Sequence, residues 1–335
     1  MMPNSEQHRI DRVRNYIEAN YGHLPRPEKS YLVLMSPRSG STLLCTHLQN
    51  IHFGNPIEAF HFNQDRICRE HGWDIDFSNP FEYMHKALDF QTVDGIFGMK
   101  LSWIEFEIFL NVARQLIEPA GLSLKDAEVV QLFFPGTLYI HLKRRNKIEQ
   151  AISYAKGMQQ GIWAVSRDQD EDYKRYLTPA LYDREHIESC LDNLLAYDFA
   201  WENYLESNGL DHLTIWYEDL SDNYTRVMSD VYRYLGIGEG EIADPSLRKL
   251  SNQQSSEWFK RFRNETPWLK QRTIAEALDK GDFATAFIHR SMMIAFQKEQ
   301  YRWHHMPTNR YKPLRSFMFR VKRKLRSIFS RNIST

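Results

Sequence analysis

The stretch YLVLMSPRSGSTLL, Tyr31 to Leu44, joins a short apolar, β-prone run to a helical run through a loop suited to holding phosphate. Tyr31 to Met35 read as strand, Ser36-Pro37-Arg38-Ser39-Gly40 interrupt it, and Ser41 and Thr42 open the helix. Gly40 has no Cβ to keep a ligand off the backbone. The unpaired amides of a helix's first turn and the positive end of its dipole favour an anion, and the hydroxyls of Ser39, Ser41 and Thr42 add donors. Arg38 supplies formal charge.

The nucleoside triphosphatase loop G-x-x-x-x-G-K-[ST] has the same strand-loop-helix frame. Two positions differ: Met35 stands at the first glycine and Ser41 at the lysine. A triphosphate with its magnesium lacks the usual clamp, so a small-metabolite kinase is the weaker alternative. A serine-rich turn that merely caps a helix is the other.

A chain of 335 residues, 42% hydrophobic, can bury a sizeable core as one large α/β domain with additions or as two domains. Cys45, Cys68 and Cys190 are widely spaced and odd in number, which argues against a disulfide framework or a zinc site and fits a reducing compartment. The first residues contain no apolar core of a signal peptide, and no stretch approaches eighteen consecutive apolar residues. A cytoplasmic location is expected. Ile10, Val13, Tyr16 and Ile17 fall at helical spacing, so residues 1–29 read as a helical extension ended by Pro25 and Pro27.

Net charge is zero, but residues from Arg310 to Thr335 carry nine Lys or Arg and no acid, leaving 34 bases against 43 acids elsewhere. No nucleic-acid partner is expected. Residues 307–335 read as a basic amphipathic tail following a main domain over 30–306. Leu314, Phe317, Met318, Val321, Leu325, Ile328 and Phe329 form one helical stripe flanked by bases. Such a helix lies on an anionic membrane surface or packs on the protein's own surface.

Four strand-like runs stand out: Tyr31 to Ser36, Gly95 to Leu101, Thr137 to Lys143 and Leu213 to Tyr217. Helical stretches separate them, from Ser41 to Ile51, Trp103 to Ile117, Lys147 to Gly157, His186 to Ser207 and Asn223 to Leu235. The alternation predicts an α/β fold with a P-loop-like, mainly parallel central sheet flanked by helices. Ligands then sit beyond the carboxyl ends of the strands, where Pro37 to Thr42, Ser102-Trp103, Arg144-Arg145 and Glu218-Asp219 converge. The segments Asp65 to Val93 and Gly161 to Tyr182 read as insertions able to shape an acceptor pocket.

A second basic element follows the strand TLYIHLK. Arg145 is eight residues before Ser153, two helical turns away, and an arginine fork with a helical hydroxyl can hold a second phosphate. One residue of slip at the strand end would exchange Arg145 with Arg144. Pairing of these bases with nearby acids is the structural alternative.

With PRSGSTLL and RNKIEQAISY both present, the chain resembles the sulfotransferases that use 3′-phosphoadenosine 5′-phosphosulfate (PAPS), and most closely their bacterial Stf0 branch. The likeness spans most of Ser30 to Asn264. It implies the sulfotransferase fold, PAPS as donor co-substrate, and a 5′-phosphosulfate loop of Arg38, Ser39, Gly40, Ser41 and Thr42. It also implies a 3′-phosphate element of Arg145 and Ser153. Arg38, where cytosolic sulfotransferases usually have lysine, fits the Stf0 branch. WYEDLSDNYTRVMSDVYRYLGI and SSEWFKRFRNE resemble later segments of the branch.

GNPIEAFHF, Gly54 to Phe62, resembles the branch's G-x-P-x-E-x-F pattern, which points to Glu58 as the general base, twenty residues after Arg38. A partly desolvated carboxylate can be raised toward neutrality and accept a proton. His61 is a rival base because imidazole titrates nearest neutral pH. His141 reads as a residue of the sheet. Lys100, in GMKLSW, matches a branch lysine and either steadies the sulfonate or the acceptor, or pairs with an acid.

The combined expectation is in-line sulfuryl transfer from PAPS to a hydroxyl of a carbohydrate or glycolipid, with Arg38, Glu58 and Lys100 as catalytic residues and no metal, since preorganised charge can suffice. The likeness to the branch makes a homodimer a reasonable assembly. A non-catalytic nucleotide- or membrane-binding protein is the alternative outside enzyme chemistry.

Overall fold

The computed structural model describes residues 4–61, 63–76, 78–165, 178–238, 240–245, 247 and 253–300. The basic tail and the middle of the 161–182 segment lie outside the described residues. Among the described residues, those up to Arg290 form one compact unit, which holds the sheet and the candidate site.

The first half of the chain runs α1 (Asn4–Asn20), β1 (Lys29–Met35), α2 (Ser41–Asn50), α3 (Gln64–His71), α4 (Pro80–Gln91), β2 (Thr92–Val93), β3 (Ile96–Leu101), α5 (Trp103–Ile117) and α6 (Asp126–Phe133). After it come β4 (Leu138–Lys143), α7 (Lys147–Gln160), α8 (Arg184–Ser207), β5 (His212–Trp216), α9 (Tyr217–Asp222), α10 (Tyr224–Leu235), α11 (Gln253–Glu265), α12 (Arg272–Lys280) and α13 (Phe283–Gln300).

The five strands order as β2-β3-β1-β4-β5. β1 lies parallel between β3 and β4, β5 is parallel to β4, and β2 alone is antiparallel. This is the expected α/β fold with a mainly parallel sheet. The chain leaves β1 toward β3 and returns across it to β4, so the carboxyl end of β1 is the topological switch point where such sheets bind ligands.

Alternation along β1 builds both faces of the core. Leu32 and Leu34 join Phe97, Met99 and Leu101 beneath Phe106, Phe109 and Trp201. Tyr31, Val33 and Met35 join Ile140, Leu142 and Ile215 beneath Leu44, Leu48, Met228 and Val231. Trp201, wholly buried, donates its indole N–H to the carbonyl of Met35 at 3.2 Å, fixing the last residue of β1 before the loop. His141, expected in the sheet, is buried within it.

Several boundaries differ from expectation, most by a residue or two, and three by more. α1 stops at Asn20, because Gly22 takes φ +115° and turns the chain before Pro25 is reached. α7 continues past Gly157 to Gln160 and is capped by left-handed Gly161. Gly157 instead forms a notch, where a Cβ would lie 3.2 Å from the Trp163 ring. The 65–93 segment is mostly α3 and α4, and it ends in β2, which Asp94 (φ 49°) and Gly95 (φ 76°) turn back onto β3.

One close approach positions the site. A Cβ on Gly98 would meet the Tyr31 hydroxyl at 2.3 Å, so only glycine lets that phenol cross β3 and donate to the Phe53 carbonyl at 2.7 Å. Gly98→Ala should overpack this buried contact and break the hydrogen bond, costing about 2 kcal/mol. Thermal unfolding would register it as a lowered Tm.

Candidate active site

The loop after β1 enters α2 through two left-handed residues, Arg38 (φ 68°) and Gly40 (φ 88°). Glycine is required at 40 on two counts. Its φ is positive, and a Cβ would lie 2.7 Å from the Tyr217 ring. At the non-glycine position 38 the same region is strained, a condition that clusters at ligand sites. Ser39 is wholly buried beneath the loop, and its Oγ has no hydrogen-bond partner among the described residues. Ser41 and Thr42 occupy the first turn of α2, whose amides face the loop end.

Arg38 is brought to the second basic element. Its Nε donates to Ser153 Oγ, on α7, at 3.0 Å, and its Nη1 donates to the Trp163 carbonyl. Burial, with Arg144 adding repulsion, lowers the Arg38 pKa to about 10, so it stays cationic at neutral pH. Gln150 on α7 donates to Ser36 Oγ at 2.9 Å and to the Pro37 carbonyl at 2.8 Å, tying the loop to the helix that carries Ser153.

The two candidate arginines part company. Arg144 is buried, stacks 4.6 Å from the Tyr217 ring centroid, and bonds the Arg38 carbonyl at 3.4 Å and Glu149 at 3.1 Å. Arg145 is half-exposed and forks onto Asp219 at 2.9 and 2.7 Å, with its guanidinium 4.9 Å from the Trp216 ring. Its own amide and that of Asn146 are held by Glu218. Arg144 therefore braces the loop from below, while Arg145 stands half-exposed, paired with Asp219.

Glu58 reaches the same edge by a stitched path. Gly54 (φ 73°) approaches the Gly98 backbone so closely that a Cβ would lie 2.9 Å from its nitrogen. Ile57 then pairs with Met99 and accepts the Lys100 amide at 3.2 Å. This places Glu58 Oε1 3.1 Å from Lys100 Nζ. Burial pushes the Glu58 carboxyl up, but the Lys100 ammonium outweighs it, with His61 and Arg66 adding, and the net shift is downward. Burial pulls Lys100 down, yet the Glu58 carboxylate leaves it raised. Resting Glu58 is thus a carboxylate clasped by an ammonium.

His61 lies beside the pair, lowered by burial. Glu105, on the first turn of α5, joins them: one carboxylate oxygen each of Glu58 and Glu105 and one ring nitrogen of His61 lie within 4.8 Å of one another. Sequence reasoning passed over Glu105, Gln150, Trp163 and Tyr217. Only Glu105 carried a signal, because Ser102-Trp-Ile-Glu105 has the capping-box pattern.

A loop of free helix-start amides beside Arg38, and a carboxylate-lysine pair at the same sheet edge, are an arrangement that could serve transfer of an anionic group to a hydroxyl. The sequence model of the Stf0 sulphotransferase family matches residues 30–265. The chain belongs to that family. It is 26% identical over 270 residues to trehalose 2-sulfotransferase of Mycobacterium tuberculosis (strain ATCC 35801 / TMC 107 / Erdman), covering 73% of this chain and 98% of that protein. It is 25% identical over 259 residues to trehalose 2-sulfotransferase of Mycolicibacterium smegmatis (strain ATCC 700084 / mc(2)155), covering 70% and 95%. As an Stf0 sulfotransferase it is a transferase of sulfuryl groups. The matched region takes in the cradle, the Glu58-Lys100 pair and α11, the helix of SSEWFKRFRNE. Among the described residues no helix is long and apolar enough to cross a membrane.

Proposed function

We propose that this Stf0 sulfotransferase moves a sulfuryl group from PAPS to a carbohydrate hydroxyl, with trehalose the first acceptor to assay because the two relatives carry that name. The observation that carries the reading is the 3.0 Å hydrogen bond from Arg38 to Ser153, which joins two anion-binding elements 115 residues apart in sequence. The residues present suit the donor. Arg38, Gly40 and the first-turn amides of Ser41 and Thr42 take the 5′-phosphosulfate, with Ser39 shaping the turn from below. Ser153 takes the 3′-phosphate with Arg145, which exchanges Asp219 for it.

In the transfer, the acceptor oxygen bonds to sulfur in line with the breaking bond between sulfur and the phosphate oxygen. Negative charge grows on the departing phosphate, where Arg38 and the loop amides meet it. The hydroxyl proton goes to Glu58. A carboxylate clasped by Lys100 is a weak base, so we assign Lys100 a second part: the sulfonate draws the ammonium away, and Glu58 gains proton affinity as the donor seats.

Calorimetry with adenosine 3′,5′-bisphosphate in a chelator, paired with transfer of labelled sulfate from PAPS to trehalose, tests the reading. Magnesium-independent binding and labelled product are expected. Preference for magnesium-ATP would overturn the donor assignment.

A further inference from the structure

We propose that Glu105 is a positioning residue for the transfer step: from the first turn of α5 its carboxyl faces Glu58 and sets how readily that residue takes the acceptor's proton. The inference rests on the reading of Glu58 as base. Glu105 is 3% exposed, and the Ser102 amide donates to its Oε2 at 2.6 Å, so the side chain is locked by its own helix cap. Glu58 and His61 face it from the loop beyond Gly54, within the 4.8 Å cluster, and Lys100 faces it from β3.

Tyr154 on α7 and Tyr197 on α8 face it as well, since its charge acts on both phenols, together with Cys190 of α8 and, for Tyr197, Glu107 of α5. Lys100 is bonded to Glu58. Of the two carboxyls, Glu58 therefore keeps the negative charge and Glu105 keeps the proton.

Burial, and next the Glu58 carboxylate, raise the Glu105 pKa to about 8. Below that pH Glu105 is neutral and Glu58 has one negative charge to itself. Above it a second carboxylate forms against the first, which makes Glu58 bind a proton more tightly and so strengthens the base. The cluster thus couples turnover to a group that never touches substrate.

Glu105→Gln keeps the shape and an oxygen for the Ser102 amide, so the cap survives. Infrared difference spectra of the wild-type enzyme between about pH 6 and about pH 9, where Arg38 is still mainly cationic, should lose a buried carboxylic-acid band that the variant lacks. With saturating PAPS and trehalose, wild-type kcat should rise about tenfold across that range while the variant stays flat. Affinity for adenosine 3′,5′-bisphosphate should not change, and Glu105→Asp should regain the alkaline rise. A wild-type protein without the band, or a variant that keeps both band and rise, would overturn the proposal. Full turnover in Glu58→Gln would sink the base assignment instead, leaving the band in place.

Discussion

Glu58→Gln is expected to lower turnover about a thousandfold while leaving adenosine 3′,5′-bisphosphate binding intact. The amide fills the same space but cannot accept the hydroxyl proton, and it lies outside the cradle of Arg38 and Ser153. A stability change should accompany the loss, because the substitution leaves the ammonium of Lys100, 12% exposed, without its 3.1 Å carboxylate partner. Adding Lys100→Met should recover stability and no turnover, which separates the chemical part of the pair from its structural part. Steady-state kinetics beside calorimetry and thermal unfolding would register all three effects. Near-wild-type turnover in the single variant would remove Glu58 from the chemistry.

Arg38→Ala is expected to weaken donor binding about a hundredfold, since one charge-assisted, forked contact to an anion disappears. Alanine and arginine suffer similar strain at φ 68°, so unfolding should shift little. Arg38→Lys should recover only part of the affinity. An ammonium cannot bond Ser153, the Trp163 carbonyl and a phosphate in one plane. An unchanged dissociation constant for adenosine 3′,5′-bisphosphate in the alanine variant would refute the cradle.

The main sheet and most of its helices were legible because their signals are local. The unbroken apolar, β-prone run Tyr31 to Met35 and the helical stretch of α5 need no partner to be read, and α5 falls on Trp103–Ile117 as expected. β2 is two residues long, too short for any periodicity, and its one local signal is Asp94-Gly95, the two-residue hairpin signature. The end of α7 was misplaced because a glycine inside a helix and a glycine that stops one look alike until something packs in the notch, here Trp163.

The site was legible in parts and not as a whole. Arg38, Ser153, Glu58 and Lys100 each stood out, but the Glu58-Lys100 pair depends on Gly54 lying against Gly98, a contact between residues forty-four apart. The split between Arg144 and Arg145 is likewise tertiary. Which of two adjacent arginines turns inward is settled by Tyr217 on one side and Asp219 on the other, both supplied by the chain after β5.

Gln150 and Arg144 have a consequence for discrimination among nucleotides. By gripping the Ser36 hydroxyl and the Pro37 and Arg38 carbonyls from α7 and the end of β4, they make the loop and the helix of Ser153 one mechanical body. In the donor site proposed above, the gap between Arg38 and Ser153 is set before any ligand arrives, so the site would work as a ruler. A molecule with two anionic groups at the matching span would meet both ends with only Arg145 leaving Asp219. One with a single anionic group leaves an end unused that cannot swing over to help.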